Sequence, residues 1–431
     1  MKTNYMIGLF LVFLVVGAGL GYFFAPTKTE LKETTVTVSQ HPLQGKTITL
    51  GSSCITSGLE WYQPYHKQIV LTDINNYLKT LGYGVKVDMK IDEAPNTAIY
   101  LEKVQAFHSQ GIDLQTSYAG SSYVQAVLPY INQNGVCLIT PGATSPLLTA
   151  EDNFFRLTPN DFIAAPAIAA MISSWGIKAI LFIELGDAFG DGIWNIFQNE
   201  FPARGGTIIG KVRYATGTAE FSSYLETANR LITDAIAKYG KDNVAIEVVA
   251  GDEIVTLITQ AASYPNLMNV YWFSSDTTIR NQRLIDDASK PTGQVKFFAP
   301  FPAPGYSEKY VTLAKRYTDL VKLQYNFNCA AQYDIDWIYT NAALFAGSTA
   351  SKDIIPQILH VADQTFGASG WCTLDKNGDR KIVNMEIRGF GVQNGKTVSF
   401  LPYGLYDGVT GKVSWNSTLI KPGTPLAEWK P

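Results

Sequence analysis

The chain has 431 residues, of which 46% are hydrophobic and 12% aromatic, and its formal net charge is -3. This length predicts two or three domains with hydrophobic cores, and the composition excludes an intrinsically disordered protein. The small net charge, without a long basic run, argues against nucleic acid as a partner.

The first segment predicted along the chain is a membrane anchor. Residues 6–25 form an uncharged apolar run, MIGLFLVFLVVGAGLGYFFA, behind a single lysine. About 20 such residues are enough to cross a bilayer, whereas the apolar core of a cleaved signal sequence is usually shorter. We therefore expect residues 1–25 to be an anchor helix, with a cleaved signal as the alternative, and residues 26–45 to be a Thr-rich tether. In either case the rest of the chain is expected to be extracytoplasmic.

From residue 46 onward, predicted strands and helices alternate. The strands KTITLGSSC, VKVDMKID, IDLQTSYAG and GVCLI are separated by helical stretches such as TAIYLEKVQAFHSQG and SSYVQAVLPYINQNG. The alternation starts again at APAIAAMISSWG and continues through IKAILFIEL, NVAIEVVAG and NVYWFSS. This pattern is typical of parallel sheets covered by helices on both faces, so the sequence predicts an α/β fold with two doubly wound lobes.

Four loops follow the carboxyl ends of predicted strands, which is where open parallel sheets bind ligands. They are SYAGSS, ITPGATS, VVAGDE and WFSSD. In the second loop, Gly142, Ala143, Thr144 and Ser145 combine small side chains with hydroxyls. Such a turn suits an anionic group such as a carboxylate, and a solvated loop is the alternative.

The cysteines and histidines favour no metal site. Cys54, Cys137, Cys329 and Cys372 lack zinc spacing, and the four histidines show no metal-ligand pattern. Outside the cytoplasm the cysteines can form two disulfides, and the sequence does not separate the three pairings, although we favour Cys329 with Cys372. We expect neither a metal nor a cofactor.

Several stretches resemble the leucine/isoleucine/valine-binding proteins of branched-chain amino-acid ABC transporters: GVCLITPGATSPLLTAEDNFFRLTPND, GIKAILFIELGDAFGDGIWNIFQNEFPARGGTIIG, YDIDWIYTNAALFAGS and GASGWCTLDKNGDRKI. These are type I periplasmic binding proteins. The resemblance implies two lobes, joined by a three-segment hinge, that close on an amino acid or a similar solute. It also implies ABC permease subunits as partners and no enzymatic activity. The implied lobes are residues 46–158 with about 302–370, and residues 159–301 with about 371–431.

The resemblance also implies a ligand site. By position, Ser121, Gly142, Ala143 and Thr144 of the first lobe would hold the carboxylate and ammonium groups of the solute. Asp276, in VYWFSSD, would pair with the ammonium from the second lobe. From the residues alone, the alternatives are an N-cap at Ser121 and a solvated carboxylate at Asp276.

Two departures from the family pattern affect the pocket. Phe189, in DAFGDG, stands where the family often has tyrosine, so the ring is kept and the hydroxyl is lost. A second aromatic of the family would fall near Ala250 or Gly251, and the pocket is therefore expected to be larger, or refilled by Trp61, Tyr62 or Tyr123. Amides, urea and carboxylic acids remain alternative solutes, and a sensory ectodomain is the alternative function. A secreted hydrolase is disfavoured because G-x-S-x-G and H-E-x-x-H are lacking.

Overall fold

The computed structural model describes most of the chain after residue 40. The described residues are 41–54, 59–279, 281–381, 383–393, 396–399 and 402–426. The predicted anchor and most of the predicted tether lie outside them. Among the residues that are described, no helix has both the length and the apolar character needed to cross a membrane.

The folded body begins a few residues earlier than the sequence analysis expects. Residues 41–45, assigned above to the tether, contact the body. The Leu43 side chain is fully buried in the core, and the His41 ring stacks on Tyr83 with centroids 4.6 Å apart. Because an aliphatic side chain without exposed surface stabilises the fold, these residues belong to the body.

The strands in chain order are β1 (Thr47–Cys54), β2 (Lys86–Glu93), β3 (Leu114–Ser117), β4 (Cys137–Thr140), β5 (Phe154–Arg156), β6 (Ala179–Leu185), β7 (Thr207–Tyr214), β8 (Val244–Val249), β9 (Tyr271–Ser274), β10 (Phe298–Pro302), β11 (Phe366–Gly367), β12 (Gly370–Trp371), β13 (Met385–Gln393), β14 (Lys396–Ser399), β15 (Gly404–Asp407) and β16 (Lys412–Trp415).

The α-helices in chain order are α1 (Leu59–Tyr65), α2 (Leu71–Leu81), α3 (Thr97–Ser109), α4 (Ser121–Asn134), α5 (Asp161–Trp175), α6 (Ala188–Ala203), α7 (Ser222–Tyr239), α8 (Ile254–Ala261), α9 (Pro265–Met268), α10 (Asp276–Ile279), α11 (Arg283–Asp286), α12 (Ser289–Val295), α13 (Glu308–Val321), α14 (Phe327–Ala346) and α15 (Ser351–Asp363). A π-helical turn, His66–Val70, joins α1 to α2, and short 3-10 turns lie at Pro146–Leu148 and Lys241–Asn243.

The first sheet is parallel throughout, with strand order β2-β1-β3-β4-β5. Apolar side chains of α3 and α4 cover one face, and those of α2 and α14 cover the other. The Tyr339 hydroxyl of α14 lies 2.6 Å from the Gln115 carbonyl oxygen and 2.9 Å from the Cys137 carbonyl oxygen and can donate its proton to either, which fixes this late helix against β3 and β4. The predicted doubly wound first lobe is confirmed.

The second sheet has nine strands, in the order β16-β15-β13-β10-β9-β8-β6-β7, with β14 paired to β13. Strands β6 to β10 are parallel, as predicted. Strands β13, β15 and β16 extend the sheet in antiparallel fashion, which the sequence pattern did not predict. Helices α5 and α6 cover one face, and α7 and α8 contribute to the core on the other. The residues of the predicted hinge and the lobe boundaries stay predictions.

The expected disulfides, including Cys329 with Cys372, are wrong. All four cysteines are thiols and all are buried. Burial raises the pKa values of Cys54, Cys137 and Cys372 to about 12. Because the thiolate is the reactive form, buried thiols of this kind are chemically inert and serve as small core side chains.

Candidate functional site

The loops after β3, β4, β8 and β9 surround one cavity of about 460 Å³. The first two strands belong to the first sheet and the last two to the second, so both lobes contribute to the wall. Six of the seven residues nominated from the sequence line this cavity: Trp61, Ser121, Gly142, Thr144, Phe189 and Asp276. A concave site with a few convergent polar groups is the usual form of a small-molecule site.

Ala143 is the nominated residue that does not line the cavity. Its side chain is fully buried, and its carbonyl accepts a hydrogen bond from Arg156 Nη1 at 3.0 Å. The same nitrogen donates to the Ser145 carbonyl at 2.8 Å. Ala143 therefore shapes the turn from the core side, and the structure does not support a direct ligand contact by its side chain.

The Thr144 hydroxyl is engaged within the protein. Its Oγ1 donates to Asp161 Oδ2 at 3.0 Å, and the Asp161 amide donates to the Thr144 carbonyl at 2.9 Å. Burial, followed by the nearby charge of Asp276, raises the pKa of Asp161 to about 8. The sequence analysis did not nominate Asp161, which accepts a hydrogen bond from Thr144 and is affected by the charge of Asp276.

Ser121 fastens the turn to the start of α4. Its Oγ accepts a hydrogen bond from the Ser145 amide at 3.0 Å. Gly120 occupies the N-cap position of the helix, without a side-chain cap, so the N-cap alternative for Ser121 does not hold. The serine therefore holds the first two loops of the cavity together.

The start of α6 contacts the first lobe at one edge of the cavity. Ser145 Oγ donates to the Ala188 carbonyl at 2.6 Å, and Ser122 Oγ donates to Asp187 Oδ2 at 3.0 Å. Asp187 Oδ1 accepts from two amides at the start of the helix, those of Phe189 and Gly190, so it caps α6. A Cβ at Gly192 would lie 2.7 Å from Ser145 Oγ, and glycine permits this close approach.

Aromatic side chains form much of the remaining wall. Trp61 meets Tyr118 edge to face, with centroids 5.0 Å apart, and Tyr317 with centroids 6.2 Å apart. Phe189 and Phe301 line the cavity from the second lobe. Rings such as these contribute large apolar surface for a solute to contact.

Sequence reasoning missed several polar residues that line the cavity. Arg388, on β13, donates to Glu386 Oε2 through Nε at 2.8 Å and through Nη2 at 2.6 Å, so its charge is paired inside the protein. Asn281 Nδ2 donates to Asp252 Oδ1 at 3.2 Å. Asn328, near the start of α14, also lines the cavity. No local sequence signal could have found Arg388 and Asn328, because the chain returns to the cavity only through its late strands and helices.

Comparison with known proteins agrees with this architecture. The model of a family described as periplasmic binding protein matches residues 68–387. An uncharacterized protein of Methanocaldococcus jannaschii is 26% identical over 424 residues, which cover 92% of this chain and 98% of that protein.

Two solved structures show the same fold. The leucine-binding protein LivK of Thermotoga maritima has a TM-score of 0.68 at 20% identity, covering 82% of this chain and 98% of that chain. An ABC-transporter solute-binding protein of Rhodopseudomonas palustris, in complex with 3,4-dihydroxybenzoic acid, has a TM-score of 0.65 at 16% identity, covering 84% and 98%. Since the family model spans most of the chain, this protein belongs to the periplasmic binding protein family and has the type I fold that its sequence predicted.

Proposed function

We propose that this protein is the extracytoplasmic solute-binding component of an ABC importer, and that it binds an amino acid or a similar small solute between its lobes. The observation that carries the proposal is the cavity, because its wall combines loops of both sheets. A solute that contacts both lobes stabilises the arrangement in which they approach each other. Closure can thereby report occupancy to the transporter.

The chemistry of the wall supports a solute with a carboxylate and an ammonium group. In this proposal Ser121, Gly142 and Thr144 form the edge that receives the carboxylate, and Asp276 pairs with the ammonium. Charged groups that leave water must be paired in the site, which makes affinity depend on both lobes. LivK is a leucine-binding protein, which supports an amino acid. The Rhodopseudomonas palustris protein, with 3,4-dihydroxybenzoic acid, supports simple carboxylic acids as the second class.

The proposal includes the partners and the location of the protein. Residues 1–25 would anchor it to the membrane, and permease subunits in that membrane would receive the solute. The protein performs no reaction in this scheme, because the transporter needs only a reversible change between an occupied and an empty cleft.

A thermal-shift screen of the full chain tests the proposal. The panel contains L-amino acids, small amides and simple carboxylic acids, and a ligand of the native state raises the melting temperature. We expect a shift with at least one amino acid, and we expect Asp276→Ala to abolish it. Asp319→Ala is the control, since Asp319 lies on the exposed surface of α13 and pairs with Lys315. A shift that survives Asp276→Ala, or no shift with any member of the panel, would contradict the proposal.

A further inference from the structure

Asn328 is a buried side chain of the cavity wall with an unused hydrogen-bonding group. It is 1% exposed and lines the cavity, and its Oδ1 has no hydrogen-bond partner among the residues that the structure describes. Its Nδ2 lies 3.9 Å from the position that a Cβ on Gly142 would occupy. Buried amides are nearly always hydrogen-bonded, so a group in this condition indicates a missing partner.

The backbone at Asn328 is held in place independently of its side chain. Asn326 caps α14, and its Oδ1 accepts from the Asn328 amide at 3.0 Å and from the Cys329 amide at 3.3 Å. The Asn328 carboxamide is therefore presented to the cavity from a fixed helix start, and its replacement leaves the cap intact.

Three other amide side chains of the wall are engaged within the protein. Asn281 Nδ2 donates to Asp252, Gln282 Nε2 donates to Asp286 at 3.1 Å, and Asn326 is the helix cap. Asn328 differs from these three residues because its burial is nearly complete and its Oδ1 is unsatisfied. Oδ1 is an acceptor and could be satisfied only by a donor, whereas a carboxylate can be met only by Nδ2, the amide nitrogen that lies beside Gly142.

The neighbouring turn supplies few side-chain donors. The Thr144 hydroxyl proton is directed to Asp161, whereas Ser121 Oγ accepts from the Ser145 amide and its own proton can still be donated to a ligand. A carboxylate placed beside Gly142 must find several N–H or O–H donors once it leaves water. Asn328 Nδ2 is a donor at that place.

We propose that Asn328 Nδ2 donates a hydrogen bond to the carboxylate of the bound solute, beside Gly142, and that this residue selects solutes that carry a carboxylate. The inference rests on the proposed function, and it assigns a specificity-determining role to a residue outside the four loops.

The experiment measures affinities of the full chain by isothermal titration with two matched pairs: L-leucine and L-leucinamide, and 3,4-dihydroxybenzoate and 3,4-dihydroxybenzamide. The members of each pair differ only in whether the carboxylate is present. The variants are Asn328→Asp, which replaces the donor by a charged acceptor of the same shape, and Asn328→Leu, which keeps the shape and removes hydrogen bonding. Asn199→Asp is the matched control, because Asn199 is exposed on α6 and is not among the residues that line the cavity.

We expect the wild-type protein to bind the carboxylate of at least one pair about tenfold or more tightly than its amide. Asn328→Asp should weaken carboxylate binding by about tenfold or more and leave amide binding nearly unchanged, with Asn328→Leu in between. Asn199→Asp should stay within about twofold of wild type. Melting curves without solute establish that each variant is folded.

Two results would overturn the inference and keep the proposed function: equal wild-type affinity for acid and amide, or carboxylate affinities that both Asn328 substitutions leave unchanged. If no carboxylate in either pair binds the wild-type protein and the wider panel is also silent, the proposed function fails and the inference fails with it.

Discussion

The free energy of unfolding of the wild-type protein should fall as the pH rises, in part because Asp161 ionises, and the Asp161→Asn substitution should remove that part of the decrease. Burial and the charge of Asp276 raise the pKa of Asp161 to about 8, against about 3.9 for an unfolded chain. A raised carboxyl pKa means that the native state prefers the neutral form, so its stabilising contribution is complete below about pH 4 and is lost as the pH rises through about 8. Within this window each pH unit costs about 1.4 kcal/mol, which amounts to about 2 to 3 kcal/mol between pH 5 and pH 7.

Asparagine preserves the local contacts while it removes the titration. Its side-chain oxygen can still accept the hydrogen bond that Thr144 Oγ1 now donates to Asp161. Urea unfolding of the full chain, followed by circular dichroism at pH 5, 6 and 7, measures the free energies of unfolding. Asp319→Asn is the control, and it should retain the wild-type pH dependence. The reasoning is refuted if wild type and Asp161→Asn lose stability in parallel over this range.

Three further substitutions test Gly142 in the turn after β4, the buried Glu247 on β8, and the buried ion pair between Asp379 and Arg156. Gly142→Ala should change the unfolding free energy by less than about 0.5 kcal/mol, because the nearest atoms to the new Cβ lie at 3.8 and 3.9 Å. The same substitution should alter solute affinity in a titration, because it adds a methyl group to the cavity wall. Glu247→Leu should raise the unfolding free energy, because Glu247 is fully buried and its carboxylate has no partner among the described residues. Burial raises the pKa of Glu247 well above the ordinary value, so the gain should be larger at pH 8 than at pH 5. Equal gains at both pH values would contradict this. Asp379→Ala should lower the free energy of unfolding in urea by about 3 to 5 kcal/mol, since it leaves the fully buried Arg156 without the carboxylate that now lies 2.5 Å from its Nε. A decrease below about 1 kcal/mol would contradict a stabilising role for this ion pair.

The fold and the position of the cavity could be predicted because both follow from local patterns. Alternating strands and helices predict parallel sheets, and ligands then lie beyond the carboxyl ends of the strands. This reasoning placed Gly142 and Asp276 on loops that meet at one cavity, although they are separated by more than one hundred positions in the chain. The binding roles of these residues stay predictions.

The remaining features depend on contacts that a local pattern does not contain. Asp161 looks like an ordinary first residue of a helix, and its raised pKa arises only from burial and from Asp276. Asn328 is a candidate binding residue only because it lies beside Gly142, and this position requires α14 to pack on the first sheet. We expected disulfides only because the protein was predicted to lie outside the cytoplasm, whereas the burial of the four cysteines as separate thiols follows from the packing of the core. Leu43 was overlooked because one buried side chain in a Thr-rich segment makes no periodic signal.

A crystal structure of the protein with the solute that gives the largest thermal shift tests the central claim most directly. We expect density for that solute inside the cavity of about 460 Å³, with its carboxylate beside Gly142 and contacts to both lobes. Density at another surface, or a solute that contacts only one lobe, would contradict it.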